Sequence, residues 1–436
     1  MKKRFMFCLL LVISLSLSPI SAVDSDWPMF QNNVKHTGYI NENTDYVVNT
    51  WIHNLESPIY ASPAIQDNII YIASENGILK AINMETGELK WEHDFGSSIK
   101  GSPVIEDNIL YIGTEKGLSA INIDNQKIEW NYGTSKAVES TPAIENGTIY
   151  FGSNNGHFYA LNGDDGSVIF DNHLGGKIIS SPAISNESIF IGSTNGKLYS
   201  INKNAGDEIW SYTTGDEIVS SPAIADDKVA VGSSDANLYV LNISDGSPVW
   251  EANMENSVKS SPLMDPHDNN IYIGSDSGNI TCFDLRDGTF KWSYLTGKAI
   301  ESTPAISDNQ IIVGSNDGSA YILNKYTGEI DFTYNPGTYI FNSPITASPV
   351  IYGNSLFISG NDGYLYAIDL EKSTTPFSNF LYYTLAILVI ILIVAVIAIR
   401  AIRKRSNTNK KSKRDILNKE VEIDPNMMNM DKDDKK

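Results

Sequence analysis

A repeat of about forty residues runs through most of the 436-residue chain. Each copy has a Ser/Thr-Pro pair, short apolar runs separated by small-residue turns, and an aromatic residue in its last run. The prolines recur at intervals of 40, 39, 40, 40, 40, 42 and 45 residues, at Pro63, Pro103, Pro142, Pro182, Pro222, Pro262, Pro304 and Pro349. The aromatic residues keep this spacing, at Trp51, Trp91, Trp130, Phe170, Trp210, Trp250, Trp292 and Phe332. Several β-type runs per unit predict an all-β propeller, in which each blade buries its faces against its neighbours.

The unit from Ser62 to Phe95 shows how one repeat forms one blade. Its apolar runs predict four short strands, over residues 63–65, 69–73, 78–82 and 89–93. Proline lacks a backbone N–H, but at the start of the first strand no N–H is needed for pairing with the next strand. The sequence therefore predicts four-stranded antiparallel blades.

Glycine recurs at the turn between the second and third strands of each unit except one, which has Ala236. The glycines are Gly77, Gly117, Gly156, Gly196, Gly278, Gly318 and Gly363. Because glycine adopts positive φ without a steric penalty, this position predicts a tight hairpin. A phosphate-binding loop would need a helix after the glycine, and no helix is predicted here.

The two ends of the repeat array are complementary. The last unit, Ser348 to Leu370, ends before its fourth strand, whereas a spare strand with Trp51 lies at Val47 to Leu55, before the first Ser-Pro pair. Pairing the spare strand with the Tyr364 segment completes an eighth blade and removes the last open sheet edge. The sequence therefore predicts a closed eight-bladed ring.

The tryptophans are predicted to lie between blades, with each indole N–H donating to a carbonyl in the adjacent unit. His53 and His93 stand two residues after a tryptophan, where other units have tyrosine, which predicts packing residues. The other histidines, including His157 and His173, have no metal-ligand spacing.

The ends of the chain carry targeting signals. Three basic residues, an apolar run and small residues precede Val23, as in a secretory signal peptide. An uncharged run long enough to cross a bilayer is followed by eight basic residues, which predicts a single membrane helix with the propeller outside the cell and the tail inside. The predicted segments are a signal peptide (1–22), a leader (23–46), the propeller (47–372), a linker (373–379), a transmembrane helix (380–399) and a basic, disordered cytoplasmic tail (400–436).

The predicted outside part is strongly acidic. Residues 23–379 contain 45 acidic and 17 basic residues, a net charge of −28. Nucleic acid is excluded as a partner, because its binding depends on lysine and arginine. The acidity favours solubility, and a face for cations or a basic partner is the alternative. Once Cys8 leaves with the signal peptide, Cys282 is the remaining thiol and is predicted to be a small buried residue.

The repeat resembles that of pyrroloquinoline-quinone-like (PQQ-like) propellers. The segment YFGSNNGHFYALN, which begins at Tyr150, is closest to the pattern, and the leader from Trp27 to Gly38 is similar to that of many members, including BamB-like proteins. The resemblance covers residues 27–371. It implies the propeller fold, but one propeller can carry many unrelated sites.

Enzymes of this superfamily hold the quinone and a Ca²⁺ ion over a central funnel, and many have an adjacent Cys-Cys pair. This chain has no such pair, and no long insertion interrupts its repeats. We therefore predict no catalytic, cofactor-binding or metal-binding residue. The predicted function is a non-catalytic, membrane-anchored scaffold outside the cell that binds a protein, peptide or glycan. The alternatives are a PQQ- and Ca²⁺-dependent oxidoreductase and a sensor that signals through a cytoplasmic partner.

Two further features bear on this function. Four Asn-x-Ser/Thr sequons are potential glycosylation sites, at Asn146, Asn186, Asn242 and Asn279. The main insertion of the array, residues 335–346, is the first candidate for a binding loop, although a spacer before the last blade would look the same. The binding face, the identity of the partner and the oligomeric state stay open.

Overall fold

The computed structural model describes residues 47–307, 309–336 and 342–370, and these form eight four-stranded antiparallel sheets. The first strand of the chain is β1 (Val47–Asn54). Blade 1 consists of β2 (Ala64–Gln66), β3 (Ile69–Ala73), β4 (Ile78–Asn83) and β5 (Leu89–Asp94). Blade 2 consists of β6 (Val104–Glu106), β7 (Ile109–Thr114), β8 (Gly117–Asn122) and β9 (Lys127–Gly133). Blade 3 consists of β10 (Ala143–Glu145), β11 (Thr148–Gly152), β12 (His157–Asn162) and β13 (Val168–His173).

The remaining blades repeat this order. Blade 4 consists of β14 (Ala183–Ile184), β15 (Ser188–Gly192), β16 (Lys197–Asn202) and β17 (Glu208–Thr213). Blade 5 consists of β18 (Ala223–Ala225), β19 (Lys228–Gly232), β20 (Asn237–Asn242) and β21 (Pro248–Asn253). Blade 6 consists of β22 (Leu263–Asp265), β23 (Asn270–Gly274), β24 (Asn279–Asp284) and β25 (Phe290–Leu295). Blade 7 consists of β26 (Ala305–Ser307), β27 (Gln310–Gly314), β28 (Ala320–Asn324) and β29 (Ile330–Tyr334). Blade 8 consists of β30 (Val350–Tyr352), β31 (Ser355–Ser359), β32 (Tyr364–Leu370) and β1.

The core lies between the blades. The first strands of neighbouring blades contact one another around the axis, and the second and third strands are almost wholly buried, because both faces of each blade are covered. The fourth strands lie at the rim, and in β9 exposed residues alternate with half-buried ones. The predicted all-β, eight-bladed fold is confirmed.

Closure of the ring is also confirmed. Strand β1 pairs antiparallel with β32, with Trp51 opposite Ala367 and Asn54 opposite Tyr364. The Trp51 indole N–H donates to the Met84 carbonyl of blade 1 at 2.8 Å. The start of the propeller thus completes its last blade, so the eighth sheet has the same four strands as the others.

The indole hydrogen bonds follow the prediction in other blades, for example from Trp130 to the Gly163 carbonyl at 2.8 Å. The tryptophan rings are less buried than a position between blades implies. Trp292 is 7% exposed, but most of the tryptophans are only half-buried, because they lie at the rim. Phe332 is 37% exposed, since blade 8 receives its fourth strand from β1 and has no hairpin there to cover this ring.

A belt of hydroxyl groups, which the sequence did not reveal, encircles the axis. At seven of the eight interfaces between described blades, the amide of the residue before the proline donates to the hydroxyl of its counterpart in the next blade. The donors and acceptors are Ser62 to Ser102, Ser102 to Thr141, Thr141 to Ser181, Ser181 to Ser221, Ser221 to Ser261, Thr303 to Ser348 and Ser348 to Ser62, at 2.9–3.1 Å. The Ser/Thr-Pro pair therefore joins each blade to the next.

Replacing Ser221 by alanine tests this belt. The buried amide of Ser181 then loses its acceptor, so we expect the free energy of unfolding to fall by about 1–3 kcal/mol. The measurement is denaturant unfolding, with the exposed Ser167→Ala variant as the control. An unchanged midpoint for Ser221→Ala would show that the belt adds no stability.

Other sequence predictions have mixed outcomes. Gly77 has a φ of 91° and Ala236 a φ of 74°, so this turn position needs positive φ even without glycine. Cys282 is fully buried, and burial raises the pKa of its thiol to about 12, which fits a packing residue. The signal peptide, leader, linker, membrane helix 380–399 and tail lie outside the described residues. Within the described ranges, no helix has the length and hydropathy needed to cross a membrane.

Candidate binding cleft between blades 1 and 2

A cleft of about 360 Å³ opens between blades 1 and 2. Its position follows from the connections of the blades. The hairpins between second and third strands, and the connections from one blade to the next, emerge on the same face, which we term the cleft face. The lining includes, from blade 1, His93, Phe95 and Ser97 and, from blade 2, Lys116, Ser119 and Asn131. The volume is within the range of small-molecule pockets.

A shortened hairpin contributes to the cleft. In blade 3, four residues separate the second strand, which ends at Gly152, from the third, which begins at His157. In blade 2 only Glu115 and Lys116 lie between these strands. This hairpin accounts for the 39-residue interval in the repeat. It therefore covers less of the interface with blade 1 than the longer hairpins cover elsewhere.

A second departure places a small side chain at Ser119. Five blades have tyrosine at this position of the third strand, namely Tyr159, Tyr199, Tyr239, Tyr321 and Tyr366. Each of these side chains reaches toward the preceding blade. At the interface of blades 2 and 3, for example, the rings of Tyr132 and Tyr159 lie 5.5 Å apart. Blade 2 supplies no such ring toward blade 1, and the cleft occupies that space.

The aromatic partner from the preceding blade is nevertheless present. His93 holds the position in blade 1 that Tyr132 holds in blade 2, two residues after the tryptophan. Its ring packs edge-on against Phe95, with 4.7 Å between centroids. The two rings of blade 1 thus face a gap where the following blade normally contributes a third. His93 is a packing residue, as predicted, and it also borders the cleft.

The polar groups of the cleft are partly engaged. The Ser119 hydroxyl donates to the Asn131 side-chain oxygen at 2.7 Å, and the Lys116 ammonium donates to the Gly96 carbonyl at 3.0 Å. The Ser97 hydroxyl oxygen is buried and has no hydrogen-bond partner among the described residues. Because this oxygen has almost no accessible surface, it is not available to a ligand in the cleft.

The arrangement favours binding over catalysis. A nucleophilic serine needs a base within hydrogen-bonding distance, but Ser119 bonds to an amide and Ser97 to no described residue. Aromatic and polar groups on two rigid blades can instead hold a ligand in one orientation. The sequence predicted no site residues, and the cleft residues are candidates that the structure adds. The signal was present in the repeat as the Ser119 substitution and the short interval.

The structure also brings together two of the histidines that lack ligand spacing in the sequence. His157 and His173 pair across β12 and β13, with ring centroids 4.8 Å apart, and His157 Nδ1 lies 2.6 Å from a carboxylate oxygen of Asp171. Even so, no group of three His, Cys, Asp or Glu residues in the described part of the chain is placed to hold a metal. The insertion at 335–346 is only partly described, so its predicted role stays a prediction.

The side chains at the entrance to the axis decide whether a quinone and calcium site fits there. Two lysines, Lys100 and Lys259, stand three positions before the proline of the next first strand. Lys100 binds the Glu139 carboxylate at 3.4 Å, and Lys259 binds that of Glu301 at 3.1 Å; each glutamate belongs to the following repeat. Calcium takes six to eight oxygen ligands, including carboxylates. Because these carboxylates are neutralised by lysine and do not converge among the described residues, the side chains do not fit such a site.

Comparison with protein families identifies the ring. The family model described as "Beta-alanine-activating enzyme, beta-propeller" matches residues 57–370, which is most of the chain. The chain belongs to this propeller family. The match begins after β1 and runs to the end of β32, so it covers blades 1 to 7 and three strands of blade 8. A search of curated protein sequences found no match.

Solved structures of other propellers resemble this member of the family. BamB from Moraxella catarrhalis is 18% identical with a TM-score of 0.64, over 74% of this chain and all of that one. Quinohemoprotein alcohol dehydrogenase from Comamonas testosteroni is 14% identical with a TM-score of 0.69, over 81% of this chain and 82% of that one. The computationally designed Ika8 protein is 19% identical with a TM-score of 0.65, over 73% and 98%. These values confirm a PQQ-like, BamB-like fold, and at such identities they show the fold alone.

Proposed function

We propose that the protein is a non-catalytic scaffold, anchored in the cell membrane by residues 380–399, whose propeller binds a partner outside the cell. The observation that carries the proposal is the cleft between blades 1 and 2. It is built by departures from an otherwise regular repeat, and it offers recognition groups without a nucleophile and base in contact. In a repeat protein, a local departure of this kind is where a function is expected.

The positions of the exposed sequons support a free cleft face. Asn146 and Asn186 are exposed in the hairpins between first and second strands of blades 3 and 4, on the face opposite the cleft. Glycans at these sites would cover that face and leave the cleft accessible. The half-buried Asn279 sequon lies on the cleft face, but on blade 6, away from the cleft. The acidic composition of residues 23–379 excludes nucleic acid, so a protein, peptide or glycan remains the partner class.

The test of this function uses the full chain in its native membrane. We expect protease added to intact cells to remove the propeller, and chemical cross-linking on those cells to join a defined partner to the cleft face. If a variant altered at the cleft no longer cross-links to the partner, the cleft face is the binding surface. Propeller that resists protease until the cells are opened would contradict the outside location.

The main alternative, a quinone-dependent oxidoreductase, rests on the fold shared with quinohemoprotein alcohol dehydrogenase. It is tested by incubating the purified chain with PQQ and Ca²⁺ and following dye reduction with alcohols or sugars. We expect no turnover, because the lysine-paired carboxylates near the axis do not form a calcium site. Reproducible turnover would replace the scaffold function. A sensor would additionally require a cytoplasmic partner for residues 400–436.

A further inference from the structure

We infer that the cleft between blades 1 and 2 is a docking pocket for a tyrosine side chain of a protein partner, an inference that rests on the proposed scaffold function. The pocket is the position that the molecule itself fills with tyrosine elsewhere in the ring. A partner that inserts a phenol ring there would complete the interface in the way that the other blades complete theirs.

The other interfaces show which shape this space accommodates. In four of them, a tyrosine of the third strand packs against an aromatic ring two residues after the tryptophan position in the preceding blade. The four pairs have centroid distances of 5.5–6.0 Å and are Tyr132–Tyr159, Tyr212–Tyr239, Tyr294–Tyr321 and Tyr334–Tyr366. At the cleft, His93 is the first member of such a pair and Ser119 replaces the second. The vacant volume therefore corresponds to a planar six-membered ring.

The polar contacts of these tyrosines favour a hydroxylated ring over a purely apolar one. In five blades the phenol oxygen bonds to an Asn or Asp side chain four residues earlier, at 2.6–2.8 Å, and the partners are Asn155, Asn195, Asp235, Asp317 and Asp362. In blade 2 the equivalent residue, which precedes the turn glycine, is Lys116, a hydrogen-bond donor that lines the cleft.

A protein partner suits the surroundings of the cleft. The pocket is open on the cleft face, so a side chain can enter from solvent while its backbone stays outside. Phe95 and Ile128 provide apolar walls, and the charged residues of the lining, Asp94 and Lys116, are of opposite sign. The walls thus match an uncharged aromatic side chain better than an ionic ligand. Aromatic residues, tyrosine among them, are enriched at the centres of protein interfaces.

The direct test is saturation-transfer NMR with the full chain in detergent and N-acetyl-tyrosinamide as the probe. We expect transfer to the ring protons of this probe and none to N-acetyl-alaninamide. Ser119→Tyr fills the cleft from within and should weaken binding at least tenfold. Thr281→Tyr places the same ring at the same repeat position of blade 6. Because it also removes the Asn279 sequon, Thr281→Ala accompanies it, and both should leave binding unchanged.

A second variant distinguishes loss of the stacking partner from blockage of the cleft. His93→Ala keeps the cleft open but removes one ring, so we expect a roughly two- to tenfold weaker affinity for N-acetyl-tyrosinamide. Circular dichroism and thermal unfolding establish that each variant is folded. Equal binding by the wild type, Ser119→Tyr and His93→Ala would overturn the pocket. Binding of methyl glucoside in place of the tyrosine probe would also overturn it, in favour of a glycan site.

Cross-linking on intact cells separates this inference from the scaffold function. We expect Ser119→Tyr to recover at least tenfold less partner than the wild type, and Thr281→Tyr to recover as much. If all three chains recover the same partner equally, the tyrosine pocket is wrong and the scaffold function stands. If none recovers a partner while the wild type binds the probe, the pocket stands and the scaffold function is wrong.

Discussion

Replacing Trp51 by alanine is expected to lower the free energy of unfolding by about 3 kcal/mol or more and to release β1 from blade 8. Large-to-small substitutions of packed aromatic residues cost this much, because contacts are lost and a cavity remains. Trp51 also donates to the Met84 carbonyl at 2.8 Å, covers Gly87 and lies 6.1 Å from the Phe357 ring. The contacts with Met84 and Gly87 join the last blade to the first, and the contact with Phe357 holds β1 within blade 8.

Trp210→Ala is the matched control. Trp210 makes equivalent contacts, with the Ile243 carbonyl at 3.0 Å, with Gly246 and with the ring of Phe190 at 5.6 Å. Its strand, however, continues directly from the third strand of the same blade, whereas the neighbours of β1 in blade 8 come from the other end of the array. Both variants should therefore lose stability, but only Trp51→Ala should lose the attachment of a strand.

Denaturant unfolding and limited proteolysis together measure these effects. We expect Trp51→Ala to be cleaved near Leu55 under conditions in which Trp210→Ala stays intact. We also expect it to aggregate faster, because detachment of β1 exposes an unpaired edge of β32. Indistinguishable cleavage of the two variants would show that closure does not depend on this tryptophan.

The sequence predicted most of the fold because the repeat encodes local structure many times over. The strands of blade 1 were expected at 69–73 and 78–82 and occur at Ile69–Ala73 and Ile78–Asn83. Closure was predictable because one unit lacked a strand and the chain had a spare one. By contrast, Phe332 was treated as equivalent to the tryptophans. Phe332 is exposed because blade 8 has no hairpin between its third and fourth strands, and this becomes clear only when the blades are assembled into the ring.

The hydroxyl belt and the cleft could not be predicted for a different reason. Both depend on side chains about forty residues apart in the sequence that the closed ring brings into contact. Ser181 and Ser221 are visible as repeat positions, but their hydrogen bond requires the spacing of adjacent first strands. Ser119 is visible as a departure from tyrosine, yet neighbouring side chains could have filled the space. That the cleft stays open is a result of how His93 and Phe95 pack against each other.

Together these observations separate two roles within each unit. The first strands and their hydroxyls hold the ring together, so they repeat with little change. The outer half of each interface tolerates variation, since rings, lysine or serine occur at the same position of the third strand. A site can therefore arise at one interface without disturbing the other seven. This is how a regular propeller can acquire one specific binding pocket.

The interface between blades 6 and 7 varies in another way, because it contains a buried ion cluster. Lys325 is 4% exposed, and its ammonium lies 3.4 Å from a carboxylate oxygen of Asp265 and 2.6 Å from one of Asp268. Asp265 is 2% exposed. The hydrogen bond from Lys325 lowers the pKa of Asp268. At the same repeat positions, Lys203 and Glu145 form a pair at 2.8 Å that is more accessible to solvent.

Lys325→Met is expected to lower the free energy of unfolding by about 3–5 kcal/mol, because it leaves the Asp265 carboxylate buried without a counter-charge. Lys203→Met, the matched control, should cost about 1 kcal/mol or less, since solvent can hydrate Glu145. The double variant Lys325→Met/Asp265→Asn should recover most of the loss, as the buried charge is removed. Denaturant unfolding at neutral pH measures all three. The stabilisation of Asp268 is full above the ordinary aspartate pKa of about 3.9 and is lost as the pH falls through its lowered folded pKa. The part of the difference between wild type and Lys325→Met that comes from Asp268 should therefore disappear in acid. Equal losses for Lys325→Met and Lys203→Met would show that burial does not set the strength of this ion cluster.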